Sequence, residues 1–267
     1  MKSYLDNDFI ALVDDALDNG SARAGRNGVA TSVFGRMLRH DMRNGFPLIT
    51  TRRIYTRGVI GELTGFIRGY TSLAQFKELG CNYWDLNAEQ WGRGDYLGRI
   101  YGVQWRDWNG THDQLKALVH GIKSNPFGRR HLLTTWNPGE LEDMCLPPCH
   151  LLNQYFVGRD GSLSCTVYMR SVDLCLGLPS DLVLYGLMLQ LVARETLLWP
   201  KDLVFMLGDA HVYENHEDLW AIQRVRKPAP SVPVLKLSDD ASLFGFKPEH
   251  ATIAGYNPHE AISYALN

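Results

Sequence analysis

The segment Leu182–Ala193 most constrains the fold, because it is apolar on every face of a helix and interrupted only by Gln190. It is too short to cross a bilayer, which takes about 20 apolar residues. We therefore predict a buried central helix over Leu182–Leu197. The triplet Pro179-Ser180-Asp181 precedes this helix, and we expect its serine or its aspartate to act as the amino-terminal cap.

The rest of the chain mixes helix and strand patterns without regular alternation. Apolar spacing predicts amphipathic helices over Leu5–Leu17 and Leu115–Ile122, and a glycine-containing connection over 158–162 predicts a hairpin. Strand-like runs are 131–136, 151–157, 163–168, 203–207 and 232–237, the last as an edge strand. The pattern predicts an α+β fold with a largely non-parallel sheet, in one domain spanning 1–267.

Composition excludes several classes of protein. The chain has 267 residues with 45% hydrophobic, 11% aromatic and 21% charged residues, which excludes intrinsic disorder. A formal net charge of −2 does not favour binding of duplex nucleic acid. The start, MKSYLDNDF, is acidic where a signal peptide is apolar, so we expect a cytoplasmic protein that does not enter membranes.

Cys149 is the first candidate for chemistry, since the two prolines before it stiffen its approach. A neighbouring cation would make its thiol a good nucleophile, and a buried structural cysteine is the competing interpretation. Cys145 and His150 also suggest metal ligands, but no second pair stands at finger-like spacing, so we expect no metal. We expect the five cysteines to be reduced: Cys81, Cys145, Cys149, Cys165 and Cys175.

Separated arginines and a histidine-tyrosine pair suggest a nucleotide. Guanidinium groups with a hydroxyl form a natural receptor for a phosphate, although any one of them can be ordinary surface charge. His211 and Tyr213 follow a predicted strand and can both hydrogen-bond a sugar hydroxyl, or serve only at the strand end. The phosphate candidates are Arg26, Arg129, Arg130, Arg170 and Ser171.

Several stretches in collinear order, from about residue 20 to the end of the sequence, resemble the thymidylate synthase family. They are Gly45–Thr51, Tyr101–Arg106, Leu146–His150, Tyr168–Asp173, Leu176–Pro179, Gly208–His216 and Gly255–His259. The resemblance implies a large bent mixed sheet packed with helices, and a sheet-to-sheet homodimer with shared active sites. The one-carbon donor that it implies is 5,10-methylenetetrahydrofolate.

The resemblance also implies roles for individual residues. Cys149 matches the nucleophile that adds to C6 of a pyrimidine, and Arg129 and Arg130 match a pair that reaches the phosphate of the other subunit. The remaining matches are Glu62, Tyr101 and His150 in catalysis; Arg26, Arg170 and Ser171 at the phosphate; His211 and Tyr213 at the sugar; and Trp84, Asn87, Asp173 and Gly177 at the folate.

Asp181 is the departure that sets the expected substrate. The family has Asn there, whose amide matches N3–H and O4 of uracil. A protonated carboxyl at this position can donate to N3 of cytosine and accept from its amino group. Met169 before Arg170 agrees, because deoxycytidylate hydroxymethylases of phages resemble this chain at both positions. Asp181 as a helix cap only is the plainer alternative.

Asn87 departs from the family at a place that bears on the product. The family commonly has Trp-Asp-x-Trp, and Asn87 stands in place of the second indole, which weakens the exclusion of water. The last residues, 262–267, lack the aliphatic ending that is common in the family, and the loop over 26–35 is one residue shorter than the usual family loop.

The sequence therefore predicts a transferase that makes 5-hydroxymethyl-dCMP, a reaction that suits a virus or a modified-DNA setting. Four alternatives stay open: a dCMP C5-methyltransferase, a CMP hydroxymethylase, a thymidylate synthase acting on dUMP, and a silent member that binds nucleotide or RNA.

Overall fold

A computed structural model of the chain describes residues 5–25 and 27–266. Its helices are α1 Leu5–Asn19, α2 Thr56–Arg68, α3 Leu73–Glu78, α4 Asp85–Trp91, α5 Tyr101–Arg106, α6 Gln114–Ser124, α7 Gly177–Glu195 and α8 Glu217–Gln223. Its strands are β1 Ser21–Gly25, β2 Gly28–Asp41, β3 Leu132–Thr134, β4 His150–Val157, β5 Ser162–Asp173, β6 Trp199–Tyr213, β7 Val234–Leu237 and β8 Ala251–Ala254.

The main sheet is mixed and has six strands in the order β1-β2-β6-β5-β4-β3. All neighbours are antiparallel except β5 and β6, which run parallel. Parallel neighbours need a long crossover, and the apolar helix α7 supplies it. Register shifts in β4 and β5 interrupt the ladder at two places, as β-bulges do where strands bend. The predicted α+β class is confirmed.

Several local predictions are confirmed, and one hairpin was missed. The helices α1 and α6 and the hairpin β4–β5 lie where the sequence predicts them. The predicted edge strand 232–237 is found as β7 over Val234–Leu237, in a separate two-stranded sheet with β8. The hairpin of β1 and β2 was not predicted, because β2 carries Thr, Ser, Arg and His among its apolar residues and shows no clear alternation.

The helix α7 begins at Gly177, earlier than expected, so the predicted cap at Ser180 or Asp181 is wrong. The Asp173 carboxylate accepts hydrogen bonds from the backbone N–H of Cys175 (2.9 Å) and Leu176 (3.0 Å), which turns the chain into the helix early. Pro179 then lies in the first turn, where its missing N–H costs nothing. Asp181 consequently lies inside the helix, and its side chain is available for another purpose.

The two faces of the main sheet differ. One face packs on α1 and α7, whose apolar side chains join a single buried cluster with the sheet. On the other face Met37, Met206 and Tyr168 are paired neighbours on β2, β6 and β5, yet they are 59%, 40% and 40% exposed. This face therefore carries an apolar patch that is open to solvent, with the Arg39–Asp202 ion pair beside it. No helix in the described ranges is long and apolar enough to cross a membrane.

Candidate active site

Cys149 lies directly before β4, and Arg170 on β5 approaches it from the neighbouring strand. A guanidinium nitrogen of Arg170 is 3.8 Å from the Cys149 sulfur. The Arg170 guanidinium also donates hydrogen bonds to the carbonyls of Pro147 (2.9 Å) and Pro148 (2.7 Å). The backbone N–H of Arg170 donates to the carbonyl of Cys149 at 2.8 Å. A guanidinium beside a cysteine favours the thiolate, which is the nucleophilic form. The prolines thus present acceptors that hold this cation next to the sulfur.

Tyr101 and His150 form a stacked pair behind Cys149. The backbone N–H of Cys149 donates to the Tyr101 hydroxyl at 2.8 Å, and the two rings stack at 4.1 Å between centroids. Nδ1 of His150 is 2.5 Å from the hydroxyl of Tyr185 on α7. Burial lowers the pKa of His150 to about 3, so this imidazole is neutral at physiological pH.

Tyr185 is a site residue that sequence reasoning missed. It lies in the apolar segment that was interpreted only as core, and it is fully buried. A signal was available, because a phenol among aliphatic residues needs a hydrogen-bond partner. The sequence does not reveal that this partner is His150, 35 positions away.

Glu62 on α2 lies beside Trp84 at the start of α4. The indole N–H of Trp84 donates to the carboxylate at 3.0 Å. Burial raises the pKa of Glu62 to about 7, and the indole hydrogen bond opposes this shift only in part. A carboxyl that titrates near neutrality can both give and take a proton, as a relay requires.

Asp181 has no hydrogen-bond partner anywhere in residues 5–25 and 27–266, although its backbone is inside α7. Burial raises the pKa of its carboxyl well above the ordinary range, and the negative charges of Glu62 and Asp173 add to the effect. The protonated form is therefore favoured, and it offers one donor and one acceptor. A Cβ on Gly177 would lie 3.9 Å from Oδ2 of Asp181, so glycine leaves the approach to this carboxyl open.

Of the predicted folate-side residues, Asp173 and Gly177 lie at the start of α7, whereas Trp84 lies at the start of α4 and Asn87 lies on α4. Oδ1 of Asp173 accepts the two helix-starting N–H groups, whereas Oδ2 accepts no hydrogen bond from the described residues. Trp84 is buried against Phe66, with ring centroids 6.1 Å apart. Asn87 follows Trp84 by three residues on α4, so the two side chains share one side of that helix.

The predicted sugar residues, His211 and Tyr213, line a cleft of about 160 Å³ between β1, β2 and β6. Nδ1 of His211 is 3.2 Å from Asp209, which also pairs with Arg23 at 3.3 Å. Tyr213 packs edge-on against His211, and Ser171 is the β5 partner of Asp209 in the sheet. Arg26, predicted as a phosphate ligand, lies outside the described residues.

Arg129 and Arg130 follow α6 and are both exposed. Neither guanidinium has a hydrogen bond or an ion pair within the part of the chain that the structure describes. One chain by itself therefore supplies no contact from this pair to the Cys149 group. Arg130 instead lines a surface cavity of about 320 Å³ with Trp108 and His112.

The described residues contain one group with metal-ligand chemistry, which the sequence analysis did not single out. One ligand atom each of Asp173, Cys175 and His216 lie within 4.8 Å of one another. The buried Arg52 guanidinium donates to the carbonyl of Cys175 at 2.6 Å, and its charge would oppose a cation there. All five cysteines are free thiols.

A family model described as thymidylate synthase matches residues 7–267. The match covers nearly the whole chain and includes every described element of the main sheet.

Proposed function

The chain belongs to the thymidylate synthase family, and from that premise we propose that it makes 5-hydroxymethyl-dCMP. Members of this family transfer a one-carbon unit from methylenetetrahydrofolate to a pyrimidine nucleotide. The proposal adds that the nucleotide is dCMP and that water completes the reaction and leaves tetrahydrofolate. The observation that carries it is the Asp181 carboxyl, which lacks a partner in the described ranges and whose pKa burial raises.

The choice of base is assigned to the Asp181 carboxyl, which in its protonated form matches cytosine. Its hydroxyl can donate to N3 of cytosine while its carbonyl oxygen accepts from the amino group on C4. Uracil presents a donor at N3 and an acceptor at O4, and a neutral carboxyl can also pair with it because its proton can sit on either oxygen. Selection against uracil comes from the ionised carboxylate, which has no donor for O4. A buried unpaired polar group costs about 1–3 kcal/mol, which is enough to separate the two nucleotides.

Cys149 starts the chemistry in this proposal. Its thiolate, favoured by the Arg170 guanidinium 3.8 Å away, adds to C6 of the ring and makes C5 a nucleophile. C5 then takes the one-carbon unit and loses its proton. Release of tetrahydrofolate leaves a methylene group on C5, water adds to that methylene, and the thiolate departs from C6. We assign the proton transfers to Glu62, whose pKa is about 7, and to Tyr101, whose hydroxyl accepts from the Cys149 backbone N–H.

The residues on the folate side fit the reduced pterin of methylenetetrahydrofolate, which supplies carbon at the oxidation level of formaldehyde. Oδ2 of Asp173 can accept from a pterin N–H, since no described residue donates to it. Gly177 leaves the surface between Asp173 and Asp181 open, and Trp84 offers an indole at the same end.

Water, rather than hydride, is the proposed final reactant because of Asn87. This side chain is half-buried on the same side of α4 as Trp84, and within the described ranges it makes no hydrogen bond. A free amide at this place can bind a water molecule, whereas an indole would exclude it. Transfer of hydride would instead give 5-methyl-dCMP and dihydrofolate.

A homodimer with shared sites is part of the proposal. The apolar outer face of the sheet, with Met37, Met206 and Tyr168 exposed, offers a surface for a second copy. Arg129 and Arg130 are exposed and have no partner in the described chain, so they are free to reach a phosphate held by another subunit.

The test is one assay with three nucleotides. The enzyme is incubated with methylenetetrahydrofolate and dCMP, dUMP or CMP, and mass spectrometry identifies the nucleotide and folate products. We expect 5-hydroxymethyl-dCMP with tetrahydrofolate, and little turnover of dUMP. Preference for dUMP would overturn the cytosine assignment, and a methylated product with dihydrofolate would overturn the role of water.

A further inference from the structure

The carboxyl-terminal segment 256–266, called the tail below, is anchored by the side chain of Tyr264. This residue is 7% exposed, while Ser263 and Ala265 beside it are exposed. Its hydroxyl donates to Oε1 of Gln223 at 2.8 Å, and the Gln223 amide donates to the Thr51 hydroxyl at 3.1 Å. A two-step polar chain thus ties the tail to the end of α8 and to the loop before α2.

The ring of Tyr264 makes two further contacts. It covers the guanidinium of Arg52, with 5.2 Å from that group to the ring centroid, and it packs edge-on against His216 at 5.0 Å. Arg52 is buried, and within the described residues no carboxylate forms a salt bridge with it. The aromatic face therefore supplies the electrostatic attraction that a buried cation needs.

His216 connects the tail with the folate side of the site. Its Nε2 is 2.9 Å from the carbonyl of Ala265. Its Nδ1 is 3.6 Å from Oδ1 of Asp173, a contact that is an ion pair when the imidazole is protonated and not a hydrogen bond. The same Oδ1 starts α7, the helix that carries Asp181. A shift of the tail would consequently move the imidazole and disturb the carboxylate that we expect to face the pterin.

We propose that Tyr264 is a positioning residue for the one-carbon donor: it fixes the tail on Arg52, His216 and Gln223 and, through His216, holds Asp173 in place. This inference rests on the proposed function, because it takes Asp173 as a folate-side residue. It goes further in assigning a role to a tail residue that makes no predicted contact with either substrate.

The experiment compares Tyr264→Phe and Tyr264→Ala with the unaltered enzyme. Phe keeps the ring over Arg52 and loses only the bond to Gln223, so we expect the KM for methylenetetrahydrofolate to rise about 2–10-fold, as for one neutral hydrogen bond. Ala removes both contacts, and we expect a rise of more than about tenfold. The KM for dCMP should change by less than about twofold in both variants.

A second readout is the ratio of tritium released from C5 of the nucleotide to product formed. Because Cys149 and its surroundings are unaltered, exchange at C5 should continue while transfer slows, so the ratio should rise in Tyr264→Ala. Leu266→Ala is the matched control, since this neighbouring tail residue is 54% exposed and should change neither KM nor the ratio. Melting temperatures of all variants exclude a general loss of folding.

Unchanged folate KM and an unchanged ratio in a folded Tyr264→Ala would overturn the inference. Equal increases in both KM values would do the same, because they would indicate a general structural role. The product of the unaltered enzyme is identified separately. If that product is not 5-hydroxymethyl-dCMP the proposed function fails, while the KM values and the exchange ratio still decide the role of Tyr264.

Discussion

The two ends of the candidate site differ in how far a single chain completes them. At the base end, Tyr101 and His150 are buried and Glu62 and Asp181 are half-buried, and desolvation shifts the pKa of all four groups toward their uncharged forms. The residues predicted for the phosphate end are spread over separate surfaces: His211 and Tyr213 line one cleft, whereas Arg130 lines another cavity and both Arg129 and Arg130 are exposed. Under the proposed function, one chain therefore supplies the groups that face the base, whereas the arginines expected at the phosphate lie apart.

The difference has an energetic side. Removing a carboxyl from water without a cation beside it is unfavourable. The uncharged groups of the base end therefore lower the stability of the folded state. Exposed arginines cost little, since water solvates them until a phosphate arrives. Variants at the base end should therefore change specificity and stability together, and variants at the phosphate end should change binding.

The largest effect is expected where the two ends meet, at Cys149. Cys149→Ser should lower turnover and exchange at C5 by at least about 10³-fold, because a serine hydroxyl is a far weaker nucleophile toward C6. Nucleotide binding should be largely kept, since neither end of the site is altered. Tritium release and isothermal titration measure the two quantities.

Cys145→Ser is the control, because this thiol lies four residues earlier and has no assigned role. Retention of more than a small fraction of activity in Cys149→Ser would contradict covalent catalysis at this residue.

Asp181→Asn tests whether the base end alone selects the base. The amide satisfies N3–H and O4 of uracil and mismatches cytosine, so the ratio of kcat/KM for dCMP to that for dUMP should fall by about 10²-fold or more, given about 1–3 kcal/mol for each buried mismatch. Ser180→Ala is a matched control one position earlier on the helix. A ratio that stays constant would remove the basis for the cytosine assignment.

Mixing two inactive variants tests whether the phosphate end needs a second chain. In a heterodimer of Cys149→Ser with Arg129→Ala, one of the two shared sites is intact, and random exchange should restore about a quarter of full activity. Fluorescence transfer between labelled chains verifies the exchange. If exchange occurs and activity does not return, each site is confined to one chain.

The stability cost of the base end is measurable through Glu62. Because the folded state raises the pKa of this acid to about 7, folding binds a proton, and stability is lost as pH rises from the unfolded value toward 7. Glu62→Gln should therefore raise the melting temperature at pH 8 and leave it nearly unchanged at pH 4. Each 1 kcal/mol corresponds to about 2–4 °C in a chain of this size. Equal shifts at both pH values would indicate a cause other than titration.

Asn87→Trp should give the smallest change. An indole beside Trp84 would exclude water from the folate side, and we expect the share of methylated product and dihydrofolate to rise by less than about tenfold. The growth of dihydrofolate absorbance follows this partition, with Asn87→Leu as a variant that removes the amide without an indole. A partition identical in all three enzymes would show that Asn87 does not control water.

The sequence by itself determined the elements whose signals are local. The apolar run of α7 predicted a buried helix, and the glycine-containing connection at 158–162 predicted the hairpin. Collinear motifs indicated the family. Asp181 was also noticed from sequence, because its chemistry departs from the amide expected there. These signals survive folding since periodicity, turn chemistry and residue identity are properties of the chain itself.

Only the tertiary structure decided where Asp181 lies and in which protonation state it is favoured. The early start of α7 depends on the Asp173 carboxylate. The raised pKa of Asp181 depends on burial first and then on the charge of Glu62, which is far away in sequence. The contact of Tyr185 with His150 and the anchoring of Tyr264 are likewise long-range. Burial and the distances between charges arise only when separate segments pack together, and they decide what the same residue types can do.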